Sequence, residues 1–172
     1  MKVLTLTQPW ATLVAIGAKR LETRSWSTGY RGPLAIHAAK GLGPVGGYSG
    51  LHRLISTKPF WDVLREAYAA DLSGERFYPA DAVTVVDQLP FGAIIAVCEL
   101  RDVRIIGDGP NGDPTIAADD MLSLTPILGN ERAFGNYAAG RYAWLLAGVR
   151  ALPEPIPAKG KLGLWDYAGE LP

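Results

Sequence analysis

With 172 residues, 48% of them hydrophobic and 20% charged, the chain can bury a core of its own, which excludes the disordered and fibrous classes. Its 17 basic and 17 acidic residues cancel, so nothing in the overall charge draws nucleic acid, and any such binding must come from a local basic patch. A single cysteine rules out an internal disulfide.

In chain order, "KVLTLT" alternates apolar and polar residues as a strand with one buried face does. A short helix should follow, with Thr7 as its cap, Pro9 in its first turn and Gly17 as its stop, and this pair of elements delivers Lys19. Residues 21–26 read as extended, so Glu22, Arg24 and Trp26 should project from one face and Leu21, Thr23 and Ser25 from the other. "STGYRG" is a turn and "PLAIHAAK" a further strand.

"GLGPVGGYSG" contains G-x-G-x-x-G, but Pro44 lies inside it and no repeated βαβ pattern surrounds it, so it reads as a flexible loop rather than a dinucleotide site. "STKPFWDVLREAYAADL" predicts an amphipathic helix with Phe60, Val63, Leu64, Ala67 and Tyr68 on one stripe and Ser56 or Thr57 as cap. "FGAIIAVCELRDVRII" predicts a central strand bent near Glu99, with Cys98 a buried structural thiol. A short helix is expected over 119–124, then an irregular stretch containing "ERAFGNYAAG". "RYAWLLAGVRALPEPIPAKGKLGLWDY" reads as a strand, a proline-broken connection, a glycine turn and a last strand. The pattern as a whole predicts one α+β domain spanning 1–172, built around a small barrel or curled sheet.

No stretch approaches the ~20 apolar residues of a membrane span, and Gln8 and Pro9 interrupt the one N-terminal run that looks like a signal peptide, so a cytoplasmic protein is expected. H-E-x-x-H, C-x-x-C, G-x-S-x-G and the P-loop motif are all missing, and His37 and His52 are the only histidines. No metal and no cofactor is therefore expected.

The basic first third stands out, since Glu22 is the one acid among seven basic residues before Leu54. Lys19, Arg24, Arg31 and Lys40 can neutralise phosphate, Trp26 or Tyr30 can stack on an unpaired base, and Glu22 can accept hydrogen bonds from a base edge. The competing description is a surface ion pair of Glu22 with Arg24 or Lys19, worth only ~0–1 kcal/mol. His37 is either a hydrogen-bonded core residue or part of the site, and Trp10 and Trp144 read as packing residues. Glu131, Asn136, Tyr137 and Arg141 are candidates to close a cleft.

"Q-P-W-A", "G-A-K-R-L-E-T-R-S-W" and "Y-R-G-P-L-A-I-H-A", with the later "FGNYAAGRYAWLL" and "PIPAKGKLGLWDY", resemble the signature of the ASCH (activating signal cointegrator homology) domain. The resemblance covers about residues 1–40 and 89–167. It implies a PUA-like β-barrel with flanking helices, bordering a cleft at Lys19, Glu22 and Arg24. Residues 41–88 depart from the compact pattern and read as an inserted helical segment, a lid or added wall of the cleft. The function implied is recognition of single-stranded RNA, another single-stranded nucleic acid or a modified nucleoside at Lys19, Glu22, Arg24, Trp26, Tyr30, Arg31, His37 and Lys40.

The alternative is a metal-independent hydrolase, either a ribonuclease or an N4-acetylcytidine amidohydrolase. Small ASCH amidohydrolases use a lysine, a threonine and a glutamate. Lys19 matches the lysine, whereas Glu22 stands at the threonine position with Thr23 beside it, so catalysis here would rest on Lys19 and Glu22.

Overall fold

The structure, a computed structural model, describes residues 1–68, 79–118 and 123–172. Nine strands and five α-helices are assigned among them. In the first half of the chain these are β1 (Lys2–Leu6), α1 (Trp10–Ala15), β2 (Leu21–Arg24), β3 (Gly32–Ala38), α2 (Gly47–Ile55), α3 (Phe60–Tyr68) and α4 (Pro79–Gln88). The second half holds β4 (Ala93–Ile105), β5 (Gly107–Asp108), β6 (Pro114–Ala117), β7 (Leu124–Pro126), α5 (Gly129–Ala133), β8 (Tyr142–Pro157) and β9 (Leu164–Asp166).

Six strands form a sheet in the order β2-β8-β4-β3-β1-β9, and β5-β6-β7 form a second, small one. β1 and β3 run parallel, because α1 carries the chain across the sheet between them, and the remaining pairs are antiparallel. The pairing of β4 with β8 slips at three places, between Ile94 and Ala96, Val97 and Glu99, and Leu100 and Asp102. Each slip adds local twist, so the long strands curl the sheet into a half-barrel. Gly148, at φ +58°, lies in β8 beside the slip next to Glu99, where the bend was expected.

Several expectations fail here. The glycine-rich stretch is not a loop throughout, since a 3-10 turn spans Gly43–Val45 and α2 starts at Gly47. Leu51 and Ile55 are fully buried one turn apart, so packing supplies what the glycines lack in helix propensity. Gly50 is required there, because a Cβ would stand 1.6 Å from the Val45 carbonyl oxygen.

β8 also runs unbroken through Pro153, Pro155 and Pro157. That end pairs with β4 alone, while β2 covers only Tyr142 to Leu145, so the prolines sit where no outer partner needs their missing N–H. In the stretch read as irregular, residues 129–133 form α5. The helix expected over 119–124 falls largely outside the described residues, and Leu124 itself belongs to β7.

α1 divides the core. Its Ala11 and Val14 pack on the sheet with Leu4, Leu34, Ile36, Leu100 and Trp144. Its Leu13 faces the other way, into a cluster with Leu51, Ile55, Phe60, Trp61, Leu64, Val85, Val86 and Phe134. The helices of segment 41–88 are thereby held against α1 and the end of α5. Thr7 does not cap α1. Instead the fully buried Gln8 side chain accepts from Thr12 N at 3.2 Å and donates to Pro90 O at 2.7 Å, tying the helix start to the approach to β4.

Cys98 is 7% exposed, and burial pushes its thiol up to about 12. Because the thiolate is the reacting species, Cys98 should react with a disulfide reagent at neutral pH only after denaturant is added. Stoichiometric labelling of the native protein within minutes would contradict its core assignment.

Candidate functional site

A cavity of about 590 Å³ opens where β1, β2, α1, the helices of segment 41–88 and the chain after α5 meet. Trp10, Leu54, Phe60 and Phe134 supply apolar wall, and Phe60 and Phe134 meet edge to face with centroids 5.0 Å apart. Thr5, Glu22, Thr23, Arg24, Asn136 and Arg141 supply the polar side.

Behind that polar side lies a row of alternating charges. Lys19 is 0% exposed, the first residue after the α1 turn to face inward, and its amide donates to Leu13 O at 2.9 Å. Its Nζ donates to Leu21 O and, at 3.1 Å, to the Tyr137 hydroxyl, with Glu131 Oε1 at 3.6 Å and Glu22 Oε2 at 3.9 Å. Glu22 Oε1 in turn lies 3.2 Å from Arg24 Nε, and Arg24 Nη2 donates to Thr5 O at 2.8 Å.

Glu131 anchors α5 to the start of β2. Its two carboxylate oxygens accept from Arg20 N at 2.8 Å and Leu21 N at 3.2 Å, and Oε1 also accepts from the Tyr137 hydroxyl at 2.6 Å. Arg141 holds the chain after α5, donating to Asn136 O at 3.0 Å and Thr23 O at 3.4 Å.

These contacts set the titration behaviour. Burial lowers the Lys19 ammonium below its ordinary range, against the pull of Glu22 and Glu131. Burial raises the Glu22 carboxyl, opposed by Lys19 and Arg24. Tyr137 is pushed far up by burial and by the Glu131 carboxylate, so it stays a phenol and a donor.

Lys19 does not itself line the cavity. It sits behind Glu22 and behind Gly135, where a Cβ would come within 3.2 Å of its Nζ and 2.7 Å of the Tyr137 ring. Gly135 is thus the thin point of the wall.

Of the residues singled out in the sequence, Glu22, Arg24, Asn136 and Arg141 line the cavity, and Lys19, Tyr137 and Glu131 back it; Trp26, Tyr30, Arg31, His37 and Lys40 lie elsewhere. Trp26 meets Trp144 edge to face at 4.7 Å and packs on the sheet core, since the strand ends at Arg24 before reaching it. Tyr30 packs on the same core and its hydroxyl donates to Pro33 O at 2.5 Å, while Arg31 is engaged by Asp102 at 2.9 Å. His37 and Lys40 line a separate groove on the other side of β1.

The Glu22 ion pairs are buried rather than surface pairs, with Glu22 8% exposed. Strict alternation along β2 also fails, because Thr23 lines the same cavity as Glu22 and both are buried. Trp10, read as packing, is half-buried and lines the cavity too. Phe134 gave no sequence signal beyond an aromatic in an irregular stretch.

No cluster of three or more metal-ligating side chains occurs among the described residues, and no described helix is long and apolar enough to cross a membrane.

A curled antiparallel sheet with one parallel pair, flanked by helices and bordered by a cavity at its β1–β2 edge, defines a mixed α+β protein of the PUA-like class. The ASCH domain profile matches residues 4–118, and the chain belongs to the ASCH domain family. The match runs from Leu4 within β1 through segment 41–88 and β4 to the end of β6. A search of curated proteins finds none that matches this chain.

Proposed function

We propose that this ASCH domain binds single-stranded RNA, or another single-stranded or modified nucleic acid, by taking one unpaired base into the cavity bounded by Glu22 and Arg24. The observation that carries this reading is the pairing of an aromatic wall, Trp10 and Phe60, with a charged floor whose side chains are already held in place. Stacking on an aromatic contributes ~1–3 kcal/mol per base whatever the sequence. The ionised Glu22 accepts from a base edge, and Arg24 and Arg141 offer donors to carbonyl or phosphate oxygens. Phe60 makes segment 41–88 one wall of the site, and the whole chain serves as one binding domain, working without metal or cofactor in the cytoplasm.

One observation favours a second reading, a hydrolase of acylated nucleosides or RNA: Lys19 and Glu22 are a buried pair whose pKa values burial moves toward each other. Against it, Lys19 reaches the cavity only through Glu22 and Gly135. Thr23 lines the cavity and carries the kind of hydroxyl that reading needs.

One experiment tests both readings. Labelled single-stranded RNA, its DNA counterpart and N4-acetylcytidine are offered at low salt to the wild type and to Arg24→Ala. Binding of at least one of the three, weakened roughly 10-fold or more in the variant, is expected from the loss of a charged hydrogen bond. Absence of binding to all three sinks the proposal, and turnover of RNA or of the acetylated nucleoside establishes the hydrolase instead.

A further inference from the structure

The groove beyond β1 has a volume of about 830 Å³ and is lined by Thr5, His37, Lys40, Lys159, Lys161 and Leu162 among others. Three lysines converge there, all exposed, and no aspartate or glutamate lines it. Among the described residues Lys40 and Lys159 have no carboxylate partner, and Lys161 stands 5.7 Å from the Trp165 ring, near an Asp166 that is taken up by Lys2 at 2.9 Å. In a chain of zero net charge this is a local surplus of three cations.

The loop that presents two of them is anchored. Ala158 N donates to Gly92 O at 3.0 Å, and the buried His37 holds Ala158 O through Nε2 at 3.0 Å. That bond to a carbonyl puts the ring proton on Nε2, and burial keeps the ring neutral by lowering its pKa. Gly160 lies directly over the imidazole, where a Cβ would stand 2.6 Å from Cε1. Leu162, 99% exposed on the lip, offers an apolar surface to which a sugar or base can be laid.

Thr5 joins this groove to the central cavity. Its carbonyl accepts from Arg24 on the cavity side, and its hydroxyl accepts from Trp165 Nε1 at 3.1 Å on the groove side. Both spaces count Thr5 in their walls, so they are one residue apart.

Resting on the reading of the central cavity as a base site, we propose that the groove of Lys40, Lys159 and Lys161 holds the backbone phosphates next to the captured base, making the ligand an oligonucleotide rather than a free nucleoside. A lone anion would need one cation. Three exposed lysines, spread along a groove that no carboxylate lines and that abuts a base-sized cavity, match a run of phosphates.

The test is the triple variant Lys40→Ser/Lys159→Ser/Lys161→Ser, checked for an unchanged melting temperature since all three side chains are exposed. Binding of a labelled single-stranded 12-mer, as RNA and as DNA, and of a mononucleotide is followed against salt. The oligonucleotide should lose at least about tenfold in affinity at low salt, and the slope of log K against log salt should shrink by about 2, at ~0.7 per phosphate contact. RNA and DNA should lose alike, because the phosphates are common to both, and any mononucleotide binding should be unchanged.

An unchanged slope, an equal loss for the mononucleotide, a loss confined to one sugar, or displacement of the oligonucleotide by poly-glutamate at equal charge would each overturn the proposal. If the wild type binds the 12-mer with the expected slope change but neither the mononucleotide binds nor Arg24→Ala matters, the base-site reading fails and the phosphate groove stands. If the wild type binds no oligonucleotide, both fail.

Discussion

Replacing Lys19 with methionine should destabilise the protein by ~3–5 kcal/mol, the usual cost of removing one partner from a buried ion pair, which for a chain of this length lowers Tm by roughly 10 °C. The methylene stem is preserved by the substitution, so the loss is electrostatic. Removing the ammonium leaves Glu22 and Glu131 facing a buried space without the cation between them, and takes one donor each from Leu21 O and the Tyr137 hydroxyl, which keep their bond to each other at 2.9 Å.

The pH dependence gives the sign. In the variant Glu22 keeps the burial that raises its pKa but loses the largest influence lowering it. A carboxyl whose folded pKa lies above its unfolded value takes up a proton on folding in the window between the two. The variant's deficit should therefore shrink as pH falls from neutral toward the ordinary carboxyl range near 4.5, and grow again as pH rises. Adding Glu22→Gln to Lys19→Met should recover part of the loss, with a coupling of about 0.5–3 kcal/mol. Strict additivity of the two substitutions in urea unfolding would show that the pair does not interact.

Glu22→Gln alone should weaken nucleic-acid binding about 10- to 100-fold, the equivalent of losing a hydrogen bond to a charged group worth ~1.5–3 kcal/mol. Glutamine keeps the shape and one carbonyl acceptor but presents an amide NH₂ in place of the second oxygen, and it no longer offers Arg24 a negative partner. An ionised Glu22 is the acceptor in this reading. Wild-type affinity should then fall as pH drops through a carboxyl pKa raised above 4.5 by burial, so the loss begins in milder acid than for a free glutamate. The glutamine variant should lack that dependence. Identical pH profiles for the two proteins would remove Glu22 from the binding step, whatever the affinities.

The charged floor, the aromatic wall and the lysine groove were legible in the sequence to different degrees. Alternation in "KVLTLT" and the branched run "FGAIIAVCEL" announced β1 and β4, because a half-buried or fully buried strand leaves its period in its own residues. The motif around Lys19, Glu22 and Arg24 pointed to the segment whose Glu22 and Arg24 line the cavity. It did not show that Trp26, Tyr30 and Arg31 leave that surface, since β2 is only four residues long and the chain turns away after Arg24.

The cavity's other wall is assembled from afar. Phe60 lies 38 positions beyond Glu22 and Phe134 112 beyond, and nothing local to either residue marks it as facing a common space. The same holds for Lys40 and the "AKGKLG" loop, which meet because β8 returns alongside β4 and hands the chain to β9 at the edge of β1.

Local pattern by itself determined the long strands, the amphipathic helix at Phe60 and the family, because strand period, helix stripe and motif spacing are properties of neighbours in the chain. The tertiary structure alone decided which charges are buried and which cations are left free. Burial depends on what packs over a residue: Lys19 and Lys40 are the same side chain in the same basic segment. The first is enclosed by Glu22, Glu131 and Tyr137 and stabilises the site from behind, whereas the second opens to solvent with no counter-ion among the described residues.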